Sequence, residues 1–325
     1  DVYKRQLEAS LFPLIRQRPF NKVADPKDIP RDIFISGHNS APLSVDLLNL
    51  IENEKDMFQT GLSALSKLTE GNVFLTLGSP MEFDNVIMQT VSGPHPSGNV
   101  GIQIHHTKPL RPGDVIWSVN AQHVITLGKL FQTGSYDPTI IVSIGGPGAT
   151  TPTTVKTVTG ANIGLLIAEQ HIESPTRLIS GDVLTGQTVE HSGFLGFYDS
   201  SISIINDKVN RPFLGMLSFG SNKTKYSLSN TFLSYGEQSF DFTTSQNGEL
   251  RAMVPLNAWE NVLPMDIYPN PLYRAILAQD IEEMEKLGIW ECDDEDFALC
   301  SFACPSKIDV GSVIRDGLDL MEKEG

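Results

Sequence analysis

Three cysteines in 325 residues cannot form a closed disulfide framework, and small secreted folds depend on several such bridges. A reducing, cytoplasmic setting is the expectation, and the opening residues carry no charged-then-apolar signal pattern. Long hydrophobic runs are missing as well. Stretches such as Ile140 to Ile144 and Gly164 to Ala168 fall far short of the roughly 20 residues that span a bilayer. Basic residues are scarce, with 24 Lys and Arg against 39 Asp and Glu, a formal charge of −15. That surplus repels phosphate backbones and gives no attraction to anionic lipid. Nucleic acid is therefore not an expected partner, and any contact with a membrane has to run through a protein.

The common catalytic signatures are absent too. No G-x-G-x-x-G follows a strand, and there is no Walker-type loop, no H-E-x-x-H and no G-x-S-x-G. What remains is ordinary globular composition, 40% hydrophobic and 19% charged, long enough for two or three domains.

Periodicity organises the first half. Ile33 to Ile35 reads as a strand, and the stretch from Asp46 to Thr69 as one helix with Ile51, Phe58, Leu62 and Leu65 on a face. Gly71 stops that helix, and Val73 to Leu77 follows as a strand. A second unit repeats the pattern: Val115 to Val119 as strand, Val124 to Phe131 as helix ending at Gly134, and Ile140 to Ile144 as strand. Two such units imply a largely parallel, Rossmann-like sheet. Leu7 to Phe20 reads as a helix and its exit. After Gly148 come short strands at Thr153 to Val158, Arg177 to Ser180 and Ser201 to Ile205, with one short helix near Ala161 to Ala168, an α+β texture ending near Tyr235. The last stretch is helical, Leu272 to Leu287 and Val310 to Glu324, with an acidic patch at Asp293 to Asp296 between them. In the closing helix Val310, Val313, Ile314, Leu318 and Met321 form an apolar stripe that must be buried.

Two local patterns carry chemistry. The loop Ser92 to Gly98 (SGPHPSG) holds His95 between two prolines, and Gly93 and Gly98 would let backbone N–H groups approach a carbonyl or anionic ligand. It is the candidate ligand-facing or partner-facing loop, although stiff Pro/Gly loops are often only structural. His105 and His106, taken as an extended pair, point to opposite faces and are poorly placed to share a metal. The second pattern is Cys300-Ser-Phe-Ala-Cys304-Pro305, the closing half of the ferredoxin-type run C-x2-C-x2-C-x3-C-P. Its first two ligand positions hold Asp294 and Phe297, and Cys292 is out of register by two. A phenylalanine offers no thiolate, so Cys300 and Cys304 read as the remnant of a cluster site, packed inward on one helix face, with no metal bound.

These residues argue for a family. ALCSFACPSK (298–307) with DGLDLMEKEG (316–325) resembles the C-terminal end of the NqrA family, found in the sodium-translocating NADH:quinone reductases. The resemblance continues through IRQRPFNKV (15–23), MFQTGLSAL (57–65), SGPHPSG with IHH (92–98, 104–106), VITLGKLFQTG (124–134), LISGDVLTGQ (178–187), FLGMLS (213–218) and FLSYG (232–236). More distantly the chain resembles the C subunit of the ion-translocating ferredoxin:NAD oxidoreductase and the flavin-bearing subunit of complex I.

The resemblance implies an α/β and α+β multidomain protein. Residues 1–26 would lead out of a missing N-terminal lipoyl-like domain and 27–145 would be Rossmann-like. Residues 146–235 would be a β-grasp soluble-ligand-binding domain, and 236–325 a helical domain with the degenerate cysteine run. It further implies a peripheral subunit on the cytoplasmic face of the bacterial inner membrane, assembled with the other subunits (B to F), near the quinone-reducing end and coupled to sodium export. NADH, flavins, iron–sulfur centres and ubiquinone would be used by the complex, with no redox cofactor and no catalytic residue in this chain. Two other readings stay open: a flavin or iron–sulfur subunit of the ferredoxin-linked pump, and a stand-alone small-molecule binding protein.

Overall fold

The computed structural model describes residues 2–170, 172, 175–207, 243–246 and 248–325. The segments 213–218 and 232–236, and the domain limit expected at 235, lie outside these.

The first unit begins with helix α1 (Val2–Glu8), then strands β1 (Arg16–Arg18), β2 (Lys22–Val23) and β3 (Ile33–Gly37) and helices α2 (Leu47–Asn53) and α3 (Lys55–Leu65). It continues with β4 (Val73–Leu77), β5 (Ile87–Thr90), α4 (Val100–Thr107), β6 (Ile116–Asn120) and α5 (Ala121–Thr133). The sheet order is β2-β1-β6-β3-β4-β5. Strands β6, β3, β4 and β5 run parallel, and β1 is antiparallel to both β6 and β2. A parallel sheet needs cover on both faces, and strand alternation supplies a separate apolar set to each. Ile33, Ile35, Leu75 and Val119 meet Ile51, Phe58, Leu62, Val124 and Leu127 of the helices on one face. On the other, Phe34 and Phe74 stack at 4.9 Å and pack with Ile104 of α4 and Ile116.

Local chemistry sets the helix ends. The Asp46 carboxylate accepts the backbone N–H groups of Leu48 and Asn49, and the Asn120 side chain accepts that of Gln122. Gly134, at φ 78°, closes α5 in the left-handed region that favours glycine. Helices α3 and α5 pack backbone to backbone through glycines: a Cβ on Gly128 would lie 1.8 Å from the Met57 carbonyl oxygen, and one on Gly61 would lie 2.1 Å from that of Val124.

Several expectations need correction here. The helix expected over 46–69 is two, interrupted at Glu54. Over Leu7 to Phe20, expected as a helix and its exit, the helix ends at Glu8, and Pro13 and Pro19 favour a 3-10 turn (Phe12–Leu14) and an extended strand for the exit. Within the stretch read as a linker, Leu11, Phe12, Leu14 and Ile15 enter the core of the first unit, and β1 and β2 join its sheet. The run Ile140 to Ile144 lies in a different sheet, because β1 already occupies the edge beside β6. The segment holding His105 and His106 is helical, not extended.

The second unit contains β7 (Thr139–Gly145), β8 (Thr153–Val158), α6 (Ile163–Leu166), β9 (Thr176–Ser180), β10 (Gln187–Val189) and β11 (Ser201–Asn206) in the order β10-β9-β11-β7-β8. Among these five strands, β11 and β7 pair in parallel and the other pairs are antiparallel. Val142, Ile144, Ile163, Leu178, Ile202 and Ile204 fill its core. Pairing of β7 with β11 starts at Ser143, too far along the strand to serve Ile141. The Gln122 side chain fills the gap: its Nε2 donates to the Ile141 carbonyl at 3.0 Å, and its Oε1 accepts the Ile141 N–H at 2.9 Å.

The tail packs α7 (Pro269–Leu277), α8 (Ile281–Lys286), α9 (Ala298–Ala303) and α10 (Val310–Glu324). The helix expected over 272–287 breaks where Gln279 turns to φ 56° and Asp280 caps α8. The stripe Val310, Ile314, Leu318 and Met321 is buried with Leu272 and Ile276 of α7, and Ile102 of α4 joins the same cluster.

Replacing Gly128 by Ala should force α3 and α5 apart and lower stability by about 1–3 kcal/mol. Thermal and urea melts of the variant against the parent chain measure this.

Candidate functional site

The chain runs β3, β4, β5 outward on one side and then returns to place β6 on the other side of β3. Such a reversal opens a crevice at the C-terminal ends of the strands, where open α/β sheets bind ligands. Here the crevice is filled by His38 to Ser40, which follow β3, and by the loop Ser92 to Gly98. The Gly98 N–H donates to Ser40 Oγ at 2.7 Å, and Gln103 Nε2 donates to the Gly98 carbonyl at 3.1 Å. A Cβ on Gly98 would sit 2.3 Å from the Ser40 nitrogen, so only glycine allows this approach. Gly93, at φ 132°, starts the loop, and Ser97 Oγ donates to its carbonyl at 3.0 Å.

His95 is the polar centre of this arrangement. Its Nδ1 lies 3.1 Å from Ser40 Oγ. Ser40 Oγ, which accepts from Gly98, still has its own hydrogen to give, and we assign that hydrogen to Nδ1; in this arrangement a neutral His95 ring carries its hydrogen on Nε2. That Nε2 is buried without a partner among the described residues. Burial lowers the His95 pKa, against a smaller upward pull from Asp182 of the second unit and Glu295 of the tail. The site is thus a neutral donor where three parts of the chain meet. His38 has a similar buried, unpartnered Nε2, and burial lowers its pKa too.

The tail is bound to this region by charge. Arg18 of β1, 3% exposed, donates at 2.7 Å to both Asp293 and Glu295. Burial would lower the Arg18 pKa, but the carboxylates of Asp293, Glu295 and Asp296 more than offset this and hold it above its ordinary value. Burial pushes the Asp293 carboxyl upward and Arg18 opposes it. Arg315 pairs with its second oxygen and Asn21 donates to the first at 2.6 Å, so we take Asp293 as ionised. Asn99, the N-cap residue of α4, directs its amide to the Glu295 carbonyl at 3.2 Å and to Asp296 at 3.1 Å.

Both histidines of α4 also face the tail. The Asp266 N–H donates to His105 Nε2 at 3.0 Å, so Nδ1 carries the hydrogen it gives to Glu291 at 2.8 Å. His106 Nε2 donates to the Pro264 carbonyl at 2.8 Å. Among the described residues, no group of three or more His, Cys, Asp or Glu is placed to hold a metal.

Cys292, Cys300 and Cys304 are buried in the tail core. Burial pushes the Cys300 thiol up to about 12, and its Sγ lies 3.7 Å from the Trp259 carbonyl. Cys304 caps the end of α9 in an extended conformation, just past the helix expected to carry both thiols. Asp294 is bonded to Arg315 and Phe297 is fully buried. An iron–sulfur cluster needs converging thiolates, and this donor set does not fit one.

In the second unit, Ser180 Oγ donates to Asp199 at 2.5 Å and accepts the Gly196 N–H at 2.8 Å, while Asp182 caps its own turn through the Leu184 N–H at 2.6 Å. Burial raises the Asp199 pKa. A concavity of about 990 Å³ in the second unit has Ile167, Leu178, Arg177 and His191 among its lining residues. No helix among the described residues is long and apolar enough to cross a membrane.

Two mixed α/β sheets with their helices are followed by a helical tail, and the Arg18 ion pairs and the Asn99 amide join the first unit to that tail. The model of the NqrA second alpha/beta domain matches residues 1–136, and that of the NQRA C-terminal domain matches residues 141–191. Curated relatives named as the A subunit of the Na(+)-translocating NADH-quinone reductase match nearly the whole chain. The one from Pasteurella multocida is 39% identical over 331 residues, covering 99% of this chain and 74% of the relative. Those from Saccharophagus degradans and Pseudomonas aeruginosa PAO1 are 38% and 39% identical, each covering 98% of this chain and 73% of the relative. The chain belongs to the NqrA family of the Na(+)-translocating NADH-quinone reductases.

The tautomer assignment is testable by nitrogen-15 NMR. His95 should appear neutral at pH 7 with its hydrogen on Nε2, and Ser40→Ala should produce a mixture of tautomers.

Proposed function

We propose that this chain is a peripheral subunit of a sodium-pumping NADH:ubiquinone oxidoreductase. In this reading it sits on the cytoplasmic face of the bacterial inner membrane, near the quinone-reducing end, and is held there by the other subunits. The observation that carries the proposal is the continuous match, 39% identical over 99% of the chain, to relatives with that subunit's name. Electrons would enter from NADH elsewhere and reach ubiquinone through flavins and iron–sulfur centres of the partners, while this chain holds no redox group. The inert, buried thiols and the Asp294 and Phe297 substitutions support that division of labour.

Within this reading the first unit is Rossmann-like and the second a β-grasp soluble-ligand-binding domain, with the seam moved from 145–146 to the start of β7 at Thr139. The loop with Gly93, His95 and Gly98 is the quinone-facing or partner-facing element. Its support is the orphaned Nε2–H of His95, a neutral donor suited to a carbonyl oxygen.

The purified chain should show no visible absorbance, whereas stoichiometric iron and sulfide or bound flavin would overturn the cofactor-free reading. Expressed with the membrane subunits, it should co-purify from detergent extracts, and recovery alone would favour a stand-alone binding protein. His95→Ala should lower turnover of the assembled complex or affinity for a quinone analogue roughly tenfold, the scale of one lost buried hydrogen bond, with an unchanged melting temperature. Parallel loss of stability and turnover would make the loop structural.

A further inference from the structure

The turn Asp293 to Asp296 puts four carboxylates where two guanidiniums meet them. Arg18 takes Asp293 and Glu295, and Arg315 takes Asp293 and Asp294. Asp296 is left without a cation in hydrogen-bonding range, although it is only 1% exposed. Its Oδ1 accepts from Asn99 at 3.1 Å, and its Oδ2 is buried with no partner among the described residues. The carboxyl sits in a notch in the first turn of α4 that exists only because residue 101 is glycine, since a Cβ there would lie 1.9 Å from Oδ2. The notch joins the tail to the helix that follows the His95 loop.

We propose that Asp296 is a proton-binding site that latches the tail to α4, closed when the carboxyl is protonated and loosened when it is ionised. The groups that bear on it come from every packed element. They are Arg18 on β1, Asp294 and Glu295 in its own turn, the Asn99 amide and Gly101 on α4, and the thiols of Cys292 and of Cys300 on α9. Arg315 of α10 is held away by its pairs with Asp293 and Asp294. Burial, then repulsion from Glu295, raise the Asp296 pKa to about 7 against the opposing pull of Arg18.

The sign is fixed by linkage. A carboxyl whose pKa is higher in the latched state binds its proton more tightly there. The latch is therefore strongest at acidic pH, weakens as pH rises toward 7, and has lost that contribution above it. Opening exposes Asp296 to water, so between pH 6 and 8 the latching equilibrium should fall about tenfold. The latch is independent of the role given to His95.

The test uses the full chain. Hydrogen-exchange protection factors for residues 99–106 should drop about tenfold from pH 6 to pH 8 in the parent. In Asp296→Asn, which keeps the oxygen that accepts from Asn99, they should be flat and higher than the parent's at pH 8. Glu52→Gln, at an exposed carboxylate on α2, should keep the parent's slope. Equal slopes in the parent and Asp296→Asn would overturn the proposal. A carbon-13 titration of the parent's Asp296 carboxyl provides an independent reading if the variant folds poorly: a midpoint near neutrality supports the latch, and a carboxyl still ionised at pH 5 overturns it.

Discussion

The ion pair between Arg18 and Asp293 joins the start of the chain to its end across 275 positions, inside protein on all sides. Removing two charges from water costs several kcal/mol for each ion, and the cost is offset only when every remaining donor and acceptor finds a partner. Here Asn21, Glu295 and Arg315 nearly complete the shell, with Arg18 Nε left over. Such a pair adds little net stability over an apolar replacement, but a misplaced tail would strand both charges. What the pair supplies is a single permitted position for the tail against β1, and with it the placement of Glu295, Asp296 and the contact to Asn99.

That constraint reaches the candidate site. Asn99 makes no side-chain capping bond to its own helix, and its amide nitrogen donates to the tail. The His95 loop therefore lies between a rigid hydroxyl, Ser40, and a helix start whose capping group belongs to another part of the chain. The residue that follows the loop is thus also a contact point for the tail. The buried cysteines show the same priority of packing over chemistry, since their surroundings suit neutral thiols in a core.

Strongly periodic segments were legible in the sequence: β3, β4, α5 and the stripe of α10 follow from apolar spacing and from stops such as Gly134. Position in the sheet was not. Ile140 to Ile144 reads as a strand from composition, but only the antiparallel return of β1 beside β6 decides which sheet takes it. The SGPHPSG loop stood out by its prolines and glycines, and His95 with it. Its partners did not, because Ser40, Asp182 and Glu295 are brought together by tertiary structure from segments with no local mark. The acidic run at 293–296 was visible as a patch, but its burial was not. Its burial depended on Arg18 and Arg315, one from each end of the chain.

Gln122 marks the seam between the two sheets by acting as a borrowed piece of backbone, giving one hydrogen and taking one from Ile141. Few side chains can do both at that reach. Glu only accepts, Lys and Arg only donate, and Leu and Pro do neither. His can do both, but from ring nitrogens that diverge instead of facing one peptide side by side. Those are the amino acids that a single base change in a glutamine codon can produce, so drift at this position has almost no neutral neighbour. At this one amide, the joint between the units leaves the genetic code almost no room to drift.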